Sequence, residues 1–153
     1  MKLTYRLARD GDIPAMADIR SADWGTPDFW QPRIRGYLAC ELHPRHAREP
    51  RAAFVAVSRE QVAGLIGGHL TRRFGCDGEL QWISVKPEYR NRGVATHLLH
   101  RLAEWFQAHN ALRICVDVEP GNQAARAFYA KHGAANLKPH WMQWNDISRI
   151  LHP

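Results

Sequence analysis

Cysteine is scarce in this chain, and its placement excludes more than its number does. Cys40, Cys76 and Cys115 are widely spaced and include no Cys-x-x-Cys pair, which argues against a disulfide framework and a zinc ribbon. His43 with His46, and His97 with His100, have no third and fourth partners at ligand spacing, so no metal is expected. The glycines never form Gly-x-Gly-x-x-Gly, which disfavours a hydride-transferring dinucleotide enzyme. Runs of five or six like charges, internal repeats and low-complexity tracts are missing too. The opening Met1-Lys2-Leu3-Thr4-Tyr5-Arg6 lacks an apolar stretch of signal-peptide length, and no segment is long and apolar enough to span a bilayer. A cytoplasmic protein without membrane partners is the expectation.

What is present suits one globular domain over residues 1–153. Hydrophobic residues make up 45% and charged residues 24%, near globular averages. A domain of this length buries roughly 68–70% of the surface its unfolded chain exposes, enough for a real core. The net charge of +6 is carried by an arginine-rich excess, which favours phosphates and other anions as partners. With the basic residues dispersed, nucleic acid is disfavoured against a nucleotide-like ligand.

Leu3, Tyr5 and Leu7 alternate with polar residues as a strand does, and Asp12 can cap a following helix that carries Pro14 and ends near Gly25. Between Thr26 and Pro50, four prolines surround a second helix flanked by loops. Ala53 to Ser58 and Val62 to Leu70 read as an antiparallel hairpin, and Gly75, Asp77 and Gly78 turn the chain into a third strand, Leu80 to Val85. Ala95, Leu98, Leu99, Leu102, Trp105 and Phe106 lie on one face of a helix. Ala111 to Val118 is β-branched and short, as a buried parallel strand should be. Asn122 can cap a helix through Tyr129 with Gly133 as its stop, and Ala134 to Trp144 reads as a strand or hairpin before a helical turn at Asp146.

Strand, helix, strand makes a right-handed crossover, and its first loop lies at the carboxyl edge of the sheet, where ligands gather. That loop is Arg90-Asn91-Arg92-Gly93-Val94-Ala95. Its glycine permits close backbone approach, and the first amides of the next helix are free donors for an anion.

The run Leu80 to Leu99, containing Arg90-x-x-Gly93-x-Ala95, resembles the acetyl-CoA-binding motif of the GCN5-related N-acetyltransferase superfamily. Asn122-x-x-Ala125-x-x-Phe128-Tyr129-x-Lys131-His132-Gly133 resembles its downstream motif, and Tyr5 to Asp12 its usual opening. The segment from Trp24 to Pro50 carries no diagnostic motif.

The resemblance implies an α/β fold of the α+β type: a mixed, mostly antiparallel sheet with a splayed parallel strand pair and helices on both faces. It implies a pantetheine arm in the splay, a pyrophosphate on the amides of Arg92, Gly93, Val94, Ala95 and Thr96, and added charge from Arg90 and Arg92. Asn122, Phe128 and Lys131 would complete the acetyl-CoA site, and no metal is implied. Glu79 stands where relatives carry a general base acting directly or through water, Tyr129 where they carry a proton donor for the departing thiolate. The Val85 amide would polarise the thioester carbonyl. An attacking amine must lose a proton before it reacts, which is why a carboxylate is wanted.

The implied activity is direct acetyl transfer to a primary amine of a small molecule or peptide, with homodimerisation common in the family. Cys115, on a buried strand, reads as packing. The acceptor pocket is expected from Trp24 to Pro50 and the loop Arg72 to Gly78. Trp30, Tyr37, Arg72, Arg73, Trp141 and Trp144 are candidate lining, and Asp77, Glu79 and Asp117 would suit a cationic amine. Two other classes remain open at this point: an acetyl-CoA-sensing module without turnover, and a basic nucleic-acid-binding domain, for which no motif is present.

Overall fold

Alternation at the start of the chain produces β1 (Thr4–Leu7), followed by α1 (Ile13–Ser21) and α2 (Pro27–Leu38). Next come the hairpin of β2 (Ala47–Ser58) and β3 (Gln61–Thr71), β4 (Gly78–Val85) and α3 (Val94–Ala108). The chain closes with β5 (Ile114–Asp117), α4 (Gln123–Lys131), β6 (Ala135–Lys138) and β7 (Trp141–Trp144). This computed structural model describes residues 2–152, so Met1 and Pro153, the ends of the expected domain, lie outside the described residues.

The strands form one sheet in the order β1-β2-β3-β4-β5-β7-β6, in which β4 and β5 run parallel and the other neighbours antiparallel. On one face, Ile13, Met16, Ile34 and Tyr37 of α1 and α2 bury against Val55, Leu65 and Trp82. On the other, Leu98, Leu99, Leu102 and Phe106 of α3 bury against Ala56, Ile66, Leu80 and Ile114. Each such side chain contributes roughly 1.5–3 kcal/mol on burial. Helix propensity differs by at most about 0.7 kcal/mol among ordinary residues, so the apolar stripe decides where α3 lies.

α3 approaches the sheet over glycines. A β carbon on Gly78 would sit 2.5 Å from Phe106 Cε1 and 2.9 Å from Ile114 Cδ1. This end of β4 is therefore held tightly against both α3 and β5.

The sheet changes character one turn further along. β3 pairs Gly67 with Trp82 but Gly68 with Leu80, leaving Gln81 as the extra residue of a β-bulge. The bulge reverses the alternation, so that Leu80 faces the α3 core and Trp82 the α1–α2 core. Pairing with β5 stops at the same place, after Gly78 with Ile114, Glu79 with Cys115 and Leu80 with Val116. From Gln81 to Val85 the two parallel strands are no longer neighbours.

Several expected boundaries moved for identifiable reasons. Asp12 occupies the start of α1 but does not cap it: its carboxylate turns back to accept from Arg9 N at 2.7 Å and from the Arg6 guanidinium at 2.7 and 3.0 Å. α1 ends at Ser21 rather than near Gly25. β2 begins at Ala47, not Ala53, because a register shift between Arg48 and Arg51 lets Pro50 sit in the strand without donating to the ladder. β5 begins at Ile114, not Ala111. Ala111 N closes the end of α3 on Phe106 O at 2.9 Å, while Asp77 Oδ2 takes the amides of Leu112 and Arg113 at 3.1 and 3.0 Å.

Gly78→Ala is expected to destabilise by about 2 kcal/mol through overpacking against Phe106 and Ile114. The melting temperature then falls by roughly 4–8 °C in a thermal unfolding scan. An unchanged melting temperature would refute the close-approach account.

Candidate active site

The parting of β4 and β5 leaves one edge of β4 without a strand. Lys86 N donates to Ala63 O across β3 at 2.9 Å. Alternation along the strand therefore turns the Ser84 amide toward β3 and the Ile83 and Val85 amides into the gap. Arg90 Nε donates to Val85 O at 3.3 Å, on that same open edge.

A cleft of about 1640 Å³ occupies the gap. One end is built by the loop before α3 and the start of that helix. Gly93, in the N-cap position, has φ 78°, which lets the chain turn sharply out of the loop. No side chain caps α3 and no acidic residue occupies its first turn. The leading amides thus stay available to an anion. Arg90, Gly93, Val94, Ala95 and Thr96 line this end, with Asn122, Phe128 and Lys131 of α4 opposite. Asn122 also caps α4, its Oδ1 accepting from Ala125 N at 3.1 Å.

Tyr129 lines the middle of the cleft. Its ring packs edge-on against Trp144 at 5.7 Å between centroids. Burial pushes its phenol up to about 12, with the Asp117 charge adding to the rise and Arg20 opposing it. The hydroxyl is therefore a proton donor at every pH near neutrality. Asp117, at the end of β5, lines the same stretch, and its carboxyl is raised by burial, with Glu79 and Glu119 also raising it.

The far wall comes from α1, α2 and the loop beyond α2. Arg20, Asp23, Trp24, Trp30, Tyr37 and His43 line it. Arg20 stacks on Trp30 at 4.5 Å and donates to Ser84 Oγ at 3.0 Å, while Ser84 Oγ donates to Asp23 at 3.1 Å. Burial lowers the Arg20 pKa.

Of the residues singled out in the sequence, Glu79, Val85, Arg90, Gly93, Val94, Ala95, Thr96, Asn122, Phe128, Tyr129 and Lys131 all line this one cleft. Arg92 is exposed and not among the lining residues. Glu79 is only 4% exposed and accepts from Arg73 Nε at 3.2 Å. The loop Arg72 to Gly78 does not reach the cleft, which removes Asp77 and Arg72 from the expected acceptor pocket. Arg73 reaches it only through Glu79, while Trp144 is core. Trp30 and Tyr37 serve as both core and wall. The sequence reading passed over Arg20, Asp23 and Ser84, whose cluster joins residues more than sixty apart in the chain and carries no local signal.

Cys115 is fully buried, and its thiol is raised far above its ordinary pKa by the hydrogen bond with Cys76 and by burial. That is the opposite of an activated nucleophile. Among the described residues, no group of three or more His, Cys, Asp or Glu side chains gathers to hold a metal, and no helix is long and apolar enough to cross a membrane.

Comparison with known proteins agrees with this architecture. Streptothricin acetyltransferase A of Bacillus subtilis is 38% identical over 105 residues, covering 68% of this chain and 60% of that protein. The chain thus spans less than two thirds of that relative. A GNAT-family acetyltransferase structure from Desulfovibrio desulfuricans superposes with a TM-score of 0.75 at 17% identity, over 95% of this chain and 99% of that one. PaiA N-acetyltransferase from Thermoplasma acidophilum, solved in complex with coenzyme A, superposes with a TM-score of 0.69 at 15% identity over the same shares. The family model described as the acetyltransferase (GNAT) family matches residues 13–134. With the splayed strand pair and the uncapped α3 at its centre, the chain belongs to the GNAT acetyltransferase family.

Proposed function

We propose that the protein transfers an acetyl group from acetyl-CoA to a primary amine. The observation that carries this reading is the continuity of the cleft: an anion-ready helix start, an open strand edge and a buried phenol border one space. The helix amides and Arg90 suit the pyrophosphate. The Ile83 amide suits an amide-bearing arm that lies along β4 as an added strand.

In the reaction, the amine nitrogen attacks the thioester carbon, a C–N bond forms and the C–S bond breaks. The Val85 amide donates to the carbonyl oxygen as charge develops there. Glu79 and Val85 stand near opposite ends of β4, up to about 20 Å apart at ~3.3 Å per residue. On this reading Glu79 takes the amine proton through a relay of ordered water rather than by direct contact. Tyr129 donates to sulfur, giving the free thiol and the N-acetyl product. A phenol near 12 does not readily release its proton in water to a thiolate whose conjugate acid has the ordinary pKa of about 8.5. Donation accompanies C–S cleavage, when the buried sulfur carries uncompensated charge.

The acceptor reads as a cationic amine, since Glu79 and Asp117 both line the cleft. The family places no limit on whether that amine belongs to a small molecule or a peptide. The reading also holds that the protein acts in the cytoplasm, with a homodimer as an assembly open to test by ultracentrifugation.

Calorimetric titration should show saturable one-to-one binding of acetyl-CoA and none of NADH, with Arg90→Glu weakening acetyl-CoA affinity about tenfold. Absence of binding by folded protein would refute the reading.

Tyr129→Phe should keep acetyl-CoA affinity while lowering kcat by roughly tenfold to a hundredfold. Tyr129 acts in its protonated form, so its deprotonation, near 12, causes no alkaline fall in kcat/KM below about pH 10. A fall below that pH which vanishes in Tyr129→Phe would contradict the assignment.

Cys115→Ala should retain turnover to within about threefold, because direct transfer needs no acyl-thiol enzyme. Loss of turnover with a labelled acyl-protein in the parent enzyme would overturn direct transfer.

A further inference from the structure

Behind the cleft lies a chain of buried polar groups that the acetyl-transfer reading leaves unused. His69 on β3 is 0% exposed and is the register partner of Glu79 on β4. Its Nδ1 lies 2.8 Å from the Tyr37 hydroxyl of α2. Its Nε2 lies 3.8 Å from Glu79 Oε1 and has no hydrogen-bond partner. A buried nitrogen without a partner is costly, and such groups call for an explanation.

The hydrogen on that ring follows from its neighbours. Burial holds the Tyr37 phenol well above its ordinary pKa, so its O–H is available to donate to Nδ1. With Nδ1 accepting, the hydrogen of a neutral ring sits on Nε2 and faces the carboxylate. A protonated ring carries a hydrogen there as well, so the donor faces Glu79 in either state.

We propose that His69, held by Tyr37, is a positioning residue for Glu79, closing its Nε2–H onto the carboxylate when the substrate complex forms. Catalytic hydrogen bonds are often long before substrate binds and tighten in the complex. Arg73 supplies the other restraint. Its Nε donates to Glu79 Oε1 at 3.2 Å, while its far end is fixed by a bond to Arg45 O at 2.8 Å and by stacking on Trp141 at 4.6 Å. Once His69 closes, Glu79 is held from the second helix, the third strand and the turn before the fourth strand. Cys115 faces it across the parallel pair, and Asp117 is the other carboxylate of that strand end. The inference rests on the reading of Glu79 as the proton acceptor.

Two substitutions of similar polarity separate positioning from packing. In His69→Gln the side-chain amide can put an N–H where Nε2 stood; in His69→Asn it reaches only the Nδ1 position. We expect His69→Gln to keep kcat/KM within about threefold and His69→Asn to lose about tenfold. In His69→Asn the acidic limb of the kcat profile, which reports the substrate complex, should move to higher pH, since a carboxylate that loses a donor there is harder to ionise. Tyr37→Phe, which deletes one oxygen, should move that limb the same way by a smaller amount. In a Glu79→Gln background, His69→Asn should cost nothing further. If the two amides behave alike with unshifted limbs, positioning is overturned while the role of Glu79 stands on its own measurement. If Glu79→Gln loses no activity, the reading of Glu79 as base fails and the inference fails with it.

Discussion

The separation of two parallel strands is the constraint on which the rest of this structure depends. Backbone donors and acceptors in a sheet are obligatory hydrogen-bonding groups, and leaving them without partners is costly unless water or a ligand meets them. β4 is paired on both sides up to Leu80 and on one side only after the bulge at Gln81. The closed end is gripped by Phe106 and Ile114, which lie against Gly78. The open end faces the cleft. A close-packed base thus lies under an open edge.

Charge is distributed around that groove according to burial. Deep groups are paired or held neutral: Glu79 with Arg73, Arg20 with Ser84 and Asp23, and Tyr129 with its proton retained. At the helix start, by contrast, Arg90 is exposed and no acidic residue stands in the first turn of α3. A polyanionic ligand is drawn to the rim, where desolvation costs little, while deeper in the cleft burial keeps the proton on Tyr129.

Much of this was legible in the sequence. The apolar spacing in α3 is strong because a helix that covers a sheet needs a continuous stripe, and the expected face from Leu98 to Phe106 is the buried one. Glycine and arginine before that helix marked the anion end for a local reason, since loop and helix start are contiguous in the chain. Boundaries were harder where a distant group took over a backbone amide, as Asp77 does for Leu112 and Arg113. The cap expected of Asp12 failed for the same reason: Arg6 competes for its carboxylate.

What the sequence by itself determined is periodicity and local chemistry: which segments are strands and helices, which loop offers amides to an anion, and which motif residues belong together. Only the tertiary structure decided which side chains share a space. Glu79 was legible as a candidate base, but not its surroundings: β3 and the turn before β4 bury it beneath Arg73 and beside His69. Ser84 and Arg20 meet across more than sixty residues to form the far wall. Such contacts come from sheet register, a one-residue bulge and the docking of α1 and α2, and each of these is fixed by packing over the whole domain rather than by neighbours in the chain.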